Sequence, residues 1–419
     1  MSDRVHEFAG DWAMIEAQLP SGWREMAVEH GLVRPGSPPR SGAKVTDVAV
    51  PLRLVLFHVG TNTSLKTTAA IAYAAGVIDI SSVALHKWVR KLGPYMASLL
   101  AASSKTASTF AAERWAGYDI IIVDATVVSR PGSDGTTARV HHALRLTTLA
   151  SVQMDVTDET GGETFRRFNA KPDQLWIGDR GYANPPGIAG IKGRGADVLV
   201  RYNRGSLPLY DADGERLDVR SLLGKLRKPC RPREWAAWVA PGGNAAPISG
   251  RLVAVRLPDD KADEARARLR REQGSDLTKE SLEMADFVVL YTTVPKARLT
   301  TEQILELYGL RWQVELHIKR DKSIAGLDQL PNFRPDTVYT WICAKMLLTQ
   351  IARAIPGPDV AIPPSGGRKR ATSGRTGAVS SVAAPKAAKP RGQSSRGAMA
   401  RDDLRMARHL RRPSAHRVA

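Results

Sequence analysis

Residues 119–129 read DIIIVDATVVS. The β-branched run from Ile120 to Val123 predicts a strand, and the turn residues Arg130-Pro131-Gly132 end it. Asp124 stands inside that strand. A strand that is buried at its start does not tolerate a charge there unless the charge is paired or binds a metal. Outward from this run, HHALRLTTLA (141–150) and SVQMDVTD (151–158) predict two more strands. QLWIGDRGY (174–182) is a short apolar run that ends in Asp179-Arg180-Gly181, and ADVLVRYN (196–203) is a further strand after a short helix. FVVLYTTVP (287–295) reads as a buried strand that returns to the same sheet. Three strands, a fourth with an acid at its end, then helix and strand suit a mixed α/β sheet.

Residues 308–322, YGLRWQVELHIKRDK, read as a helix. At about 100° per residue, Tyr308, Arg311, Glu315 and Lys322 fall at roughly 0°, 300°, 340° and 320°. They share one narrow stripe, while Leu310, Val314 and Ile318 at about 200–280° form an apolar side for a core. One carboxylate among two cations and a phenol suggests a site for an anionic substrate; the ordinary alternative is a solvated face with weak ion pairs. Thr300 with Gln303 fits a capping box at the start of the preceding segment. Gly309 lies inside the pattern, where glycine costs about 1 kcal/mol relative to alanine. A break there would take Tyr308 off the stripe and leave the other three on it.

The remaining chain divides by composition. Residues 1–115 are mainly helical, with Gly76 as a stop and Ser81-Ser82 as a new cap. The second helix there ends in Lys87, Arg90 and Lys91, which suits either a DNA-contacting unit or ordinary packing. Residues 203–285 hold turns (Asp213-Gly214, Pro241-Gly242-Gly243), the strand GRLVAVRLP and the charged helix DKADEARARLRREQ, and read as a β-rich insertion. Residues 356–419 are rich in Pro, Gly, Ser, Ala and Arg and read as a disordered basic tail.

The chain of 419 residues carries a net charge of +19, which points to nucleic acid or another polyanion. Residues 360–419 hold 14 Lys/Arg and 2 Asp/Glu, a net +12, so residues 1–359 carry +7. Cys230 and Cys343 are the only cysteines, which excludes a disulfide framework and a cysteine metal site and fits a reducing, cytoplasmic setting. The N-terminal MSDRVHEFAGDW has no apolar run of signal-peptide type, and the most apolar stretch, TWICAKMLLTQIARAI, is interrupted by Lys345 and Arg353, so no membrane span is expected.

Asp124, Asp179 and Glu315 are the candidate chemical residues. Asp179 follows a strand where a parallel sheet opens its ligand crevice. Three converging carboxylates raise one another's pKa values unless divalent cations neutralise them. Oxygen-only ligands suit Mg²⁺ or Mn²⁺, and two such ions about 4 Å apart activate a water or a 3′-hydroxyl for in-line phosphoryl transfer. Each acid also has an ordinary reading, Asp124 as a backbone-bonded strand acid and Asp179 as a turn cap before Gly181. Asp134, Asp155 and Asp158 read as loop acids, and of His141 and His142 at most one faces the site side.

Three blocks resemble the DDE transposases of bacterial insertion sequences, in the "insertion sequence four" branch. VDATVVSRPG with GTTARVHHAL resembles the first-Asp block, and WIGDRGYANPPGI with GADVLVR the second. YTTVP and LTTEQILELYGLRWQVELHIKRDKSIAGLDQLP resemble the third, with the Tyr, Arg, Glu and Lys of the family signature at Tyr308, Arg311, Glu315 and Lys322. The resemblance covers roughly residues 50–355. It implies a ribonuclease-H-like mixed sheet with flanking helices, a β-rich insertion and an N-terminal helical domain at 1–115. The catalytic core is then split into 116–202 and 286–355 around the insertion at 203–285, with the tail at 356–419. It further implies that Asp124, Asp179 and Glu315 hold two Mg²⁺, with Mn²⁺ able to substitute, and that Tyr308, Arg311, Trp312, Lys319 and Lys322 contact DNA. The implied partners are transposon ends and target DNA, met by a homodimer on paired ends, and Trp235 or Trp238 is a candidate to stack on a flipped base. The tail suits either a nucleic-acid-binding arm or an out-of-frame terminus. Outside this class, a DNA-binding protein without catalysis and a structure-selective nuclease are the competing readings.

Overall fold

The computed structural model describes residues 12–33, 45–103, 114–129, 135, 138–148, 150–242, 245–274, 277–327, 330 and 334–355. The tail at 356–419 and the turn at 130–134 lie outside the described residues. Helices α1 (Trp23–Glu29), α2 (Ala49–Thr61), α3 (Leu65–Ala74), α4 (Ser82–Lys91) and α5 (Gly93–Ser103) come first. The breaks among them follow local chemistry. Ser64 accepts from Thr67 N and Ser81 from Ala84 N, each satisfying a helix-start donor. Gly76 ends the α3 segment at φ 66°.

Strands β1 (Asp119–Val128), β2 (Ala138–Arg145) and β3 (Ser151–Thr157) follow, then β4 (Gln174–Gly178), helix α6 (Pro185–Lys192) and β5 (Asp197–Arg201). After helix α7 (Val219–Gly224) come β6 (Arg233–Val239), β7 (Ile248–Arg256), helices α8 (Asp259–Gln273) and α9 (Lys279–Met284), and β8 (Phe287–Thr292). The described chain closes with α10 (Thr301–Gly309), α11 (Trp312–Ala325) and α12 (Pro335–Ala354). All eight strands lie in one sheet in the order β3-β2-β1-β4-β5-β8-β7-β6. β1 runs parallel to β4 and β4 to β5, and the other neighbours are antiparallel. The mixed α/β expectation holds.

The strands of the 203–285 segment do not form a sheet of their own. β7 pairs with β8 and β6 with β7, so both extend the main sheet. Leu252, Val253 and Ala254 are fully buried in succession, and a strand buried on both faces needs cover on both sides.

Side chains alternate across the sheet and divide two cores. Ile121, Val123, Trp176 and Val198 pack with Ile188 and Ile191 of α6. Ile120, Ile122, Leu175 and Ile177 pack on the other face with Ile304 and Leu307 of α10 and Val314 and Ile318 of α11. A third core joins α1–α5 to α12, where Leu52, Leu54, Tyr95, Leu99, Ile342 and Leu347 are buried together. α12, the last described helix, is therefore covered by the leading helices. No helix among the described residues is long and apolar enough to cross a membrane.

The two cysteines differ in setting. Cys343 is fully buried in α12 and burial pushes its thiol pKa up, while Cys230 is exposed. Reaction with a thiol reagent is expected to titrate one group quickly, to lose that fast phase in Cys230→Ser, and to reach the second only on unfolding. Two fast thiols in the native protein would contradict the packing of α12.

Candidate active site

Strand parity turns the first acid toward the helices. Asp124 continues the series Ile120, Ile122 of β1 and so faces the α10–α11 layer. Asp124 is half-buried and its Oδ1 accepts from Ala125 N at 3.0 Å. Asp179 stands one residue past β4, and its Oδ1 accepts from Gly181 N at 2.8 Å. Burial raises the Asp124 pKa to about 7; Arg311 and the Ala125 N–H oppose this, and Asp179 and Glu315 add to it. Asp179 and Glu315 thus both sit within electrostatic range of Asp124.

The expected single helix over 308–322 is broken. α10 ends at Gly309 and α11 starts at Trp312. Leu310 N donates to Leu307 O, Arg311 N to Tyr308 O and Val314 N to Arg311 O, all three-residue turns. Glycine's weak helix propensity locates the break. Tyr308 nevertheless stays with the cluster, because the turn folds Arg311 back to 5.8 Å from its ring centroid. Burial raises the Tyr308 pKa, opposed by Arg311 and Arg201. Arg311 Nη2 donates to Glu315 Oε1 at 2.6 Å. The Arg311 pKa is raised by Tyr308, Glu315 and Asp124 against the cost of burial. Val314 and Ile318 are buried, as the apolar side requires.

Lys322 Nζ donates to Val127 O at 2.8 Å and so meets the far end of the Asp124 strand. Lys319 is exposed, and Trp312 presents an exposed ring at the start of α11. Trp235 packs against the α6-side core, and Trp238 is half-buried with its backbone paired to Tyr210. On β2, His142 lies opposite Asp124 and shares its face, while His141 lies opposite Ala125 and bonds Thr157. Glu163 and Tyr182, which carry no local sequence signal, also reach this region.

The donor chemistry fits a divalent cation. Carboxylate oxygens suit Mg²⁺, and Asp124 is held near pH 7 by burial and by like charges that a cation would offset. Among the described residues no three His, Cys, Asp or Glu side chains group closely enough to cage one ion.

A half-buried network aims the helix layer. Glu234 of β6 accepts from Arg251 Nη1 at 2.7 Å and from Thr301 Oγ1 at the start of α10, and pairs with Lys296 at 2.6 Å. Arg251 also donates to Leu299 O and Val294 O, and Thr300 with Gln303 forms the expected reciprocal cap. Burial opposes ionisation of Glu234, yet bonds from Lys296, Thr301 and Arg251 bring its pKa down to about 2. A depressed carboxylate contributes stability above its unfolded pKa of 4.5 that is lost as pH falls toward about 2. Glu234→Gln is expected to cost on the order of 2–3 kcal/mol at pH 7 and to flatten acid unfolding between those values. Urea unfolding at pH 7 and pH 3 measures both; an unchanged midpoint at pH 7 would exclude the network as a support for α10.

The description "Transposase DDE domain" matches residues 115–351, from just before β1 into α12. The chain belongs to the DDE transposases. It is 32% identical over 330 residues to the transposase of insertion sequence element IS421 from Escherichia coli, covering 77% of this chain and 88% of that protein. InsL of insertion sequence element IS186A from Escherichia coli K12 is equally similar, 32% over 329 residues with the same coverage. The transposase of IS231D from Bacillus thuringiensis subsp. finitimus is 22% identical over 195 residues, 42% of this chain and 40% of its own length. This transposase of an insertion sequence is an enzyme of DNA cleavage and strand transfer, DNA is its partner, and its family generally uses divalent metal ions.

Proposed function

We propose that Asp124, Asp179 and Glu315 are the catalytic acids of this transposase, that they hold two Mg²⁺ (or Mn²⁺), and that the chain is of the "insertion sequence four" branch. What supports this reading is that Arg311 bonds Glu315 and acts on Asp124, while Asp179 and Glu315 both add to the raised pKa of Asp124. Divalent cations bound there supply a lowered pKa to the attacking water or 3′-hydroxyl and charge stabilisation to the leaving oxygen. Arg311 fixes the Glu315 carboxylate and presents its other donors to a phosphate. Tyr308 hydrogen-bonds a phosphate oxygen through its hydroxyl, and Lys322 neutralises backbone charge beside β1. Lys319 adds a phosphate contact and Trp312 a base-stacking surface. Substrates are the element's own ends and then target DNA, met by a homodimer on paired ends in the cytoplasm. In this reading 116–202 and 286–355 are the two parts of the catalytic core around the insertion at 203–285. Residues 1–115 are a candidate DNA-contacting domain, and the basic segment at 356–419 suits either a nucleic-acid-binding arm or an out-of-frame terminus.

The test is cleavage of labelled DNA that spans both boundaries of the protein's own element, with Mg²⁺ or EDTA. A metal-dependent cut at the boundary followed by joining to target DNA is expected. A shifted protein–DNA band without any cut would overturn this in favour of end binding without catalysis.

A further inference from the structure

Glu163 lies in the loop between β3 and the short turn Phe165–Arg167. The loop is tied down along its length. Arg139 donates to Gly161 O at 3.0 Å, Arg167 to Gly162 O at 3.0 Å and to Asp155 at 2.9 Å, and Asp158 accepts from Thr160 N and Oγ1. This anchoring lays the Glu163 carboxylate over Gly181, two residues past Asp179. A Cβ at position 181 would stand 1.8 Å from Glu163 Oε2 and 2.9 Å from its Cδ, so only glycine admits the contact. Gly181 N is the donor to Asp179 Oδ1. One backbone position therefore carries two carboxylates, Asp179 on its N–H and Glu163 over its Cα. Phe165, two residues on from Glu163, is buried in the α6-side core and helps to fix the loop.

A second polar group marks the place. Tyr182 is fully buried, its ring 5.2 Å from Phe165, and its hydroxyl has no hydrogen-bond partner among the described residues. Beyond burial itself, the charges that bear on this hydroxyl are Glu163, Asp124 and Asp179, opposed by Arg167. Burial, with help from Asp179, raises the pKa of the Glu163 carboxylate against Arg139. A hydroxyl buried without a partner is costly, and beside it the Glu163 carboxylate is held over Gly181, whose N–H bonds Asp179. The two groups are shaped for a species that satisfies them together.

We propose that Glu163 and Tyr182 are positioning residues of the catalytic site. The Glu163 carboxylate accepts hydrogen bonds from the water ligands of a divalent cation held at Asp179, and the Tyr182 hydroxyl donates to the carboxylates around it. Outer-shell partners of this kind orient the ligands and are worth about 10–100-fold in metal affinity. This inference rests on the reading of Asp179 as a metal-binding acid, and neither residue touches DNA.

The experiment is titration of the full chain with Mn²⁺ alone, without DNA, by calorimetry, for wild type, Glu163→Gln, Tyr182→Phe and Asp179→Asn. Melting temperature and end binding are measured in EDTA alongside. Glu163→Gln is expected to bind Mn²⁺ about 10–100-fold more weakly with melting temperature and end binding in EDTA unchanged, and Glu163→Asp to recover part of the affinity. Mn²⁺ binding by Glu163→Gln within twofold of wild type, where Asp179→Asn has lost it, overturns the proposal and spares the reading of Asp179. Wild-type binding by Asp179→Asn overturns both. Where Glu163→Gln melts lower in EDTA, Tyr182→Phe, which removes one oxygen, decides: weakening by about threefold or more supports the proposal, and unchanged affinity overturns it.

Discussion

Glu315→Gln, Asp124→Asn or Asp179→Asn is expected to lower metal-dependent cleavage of the element's ends by about 10³-fold or more, as loss of groups that act together in the transition state does. End binding in EDTA should stay within about threefold, because the cations that meet phosphates are untouched. Each exchange is nearly isosteric. In Glu315→Gln the Oε1 that accepts from Arg311 persists, so the α10–α11 turn keeps its shape. The double variant Asp124→Asn/Glu315→Gln should be hardly worse than either single one, since groups that act as a unit lose their function once. Initial rates on labelled boundary DNA, beside mobility shifts in EDTA, give both numbers. A single variant that cleaves within tenfold of wild type would remove its residue from the catalytic set.

Asp124→Asn should also stabilise the protein at pH 8 in EDTA, on the order of 2–4 kcal/mol. The sign follows from the raised pKa. Burial, with Asp179 and Glu315 adding to it, holds the Asp124 proton to about pH 7, against 3.8 for the ordinary side chain. Between those values the native state binds the proton and the unfolded state does not, so stability falls as pH rises through the window and levels off above about 7. At about 1.4 kcal/mol per unit, the full window sets a ceiling near 4 kcal/mol, reduced by the water that a half-buried carboxylate keeps. The amide removes the slope. Mg²⁺ should restore wild-type stability at pH 8 and leave Asp124→Asn nearly unmoved, because only the ionised carboxylate is paired by the cation. Urea unfolding at pH 5 and pH 8, with EDTA or Mg²⁺, tests this. A wild-type protein as stable at pH 8 as at pH 5 in EDTA, or an Asn variant no more stable than wild type, would contradict the burial of an unpaired charge at Asp124.

Much of the architecture could be read from periodicity alone. The strands around DIIIVDATVVS, QLWIG and FVVLYT follow from β-branched runs between turn residues. The Ser81 cap and the Thr300/Gln303 box follow from helix-start chemistry. β6 was not legible, because REWAAWV mixes charge with apolar residues and becomes a strand by pairing with β7. The helix over 308–322 was legible as apolar spacing at Val314 and Ile318, but not its break, since glycine only weakens a helix and packing decides whether it yields.

The same division holds for the candidate site. Asp124 stands out locally because it is a charge inside an apolar strand. Asp179 after its strand and Arg311 and Glu315 on a polar helix stripe read equally well as a turn cap and a solvated face, and only the resemblance of the three blocks set them apart. Tertiary structure alone decided that Tyr308 stays beside Arg311 after the helix breaks, that Glu234 and Arg251 hold the start of α10, and that Glu163 lies over Gly181. These contacts join residues up to dozens of positions apart, and they arise when sheet and helices close over shared apolar cores. Periodicity records which face a residue turns to the core, whereas only the packed chain sets which distant residue it meets there.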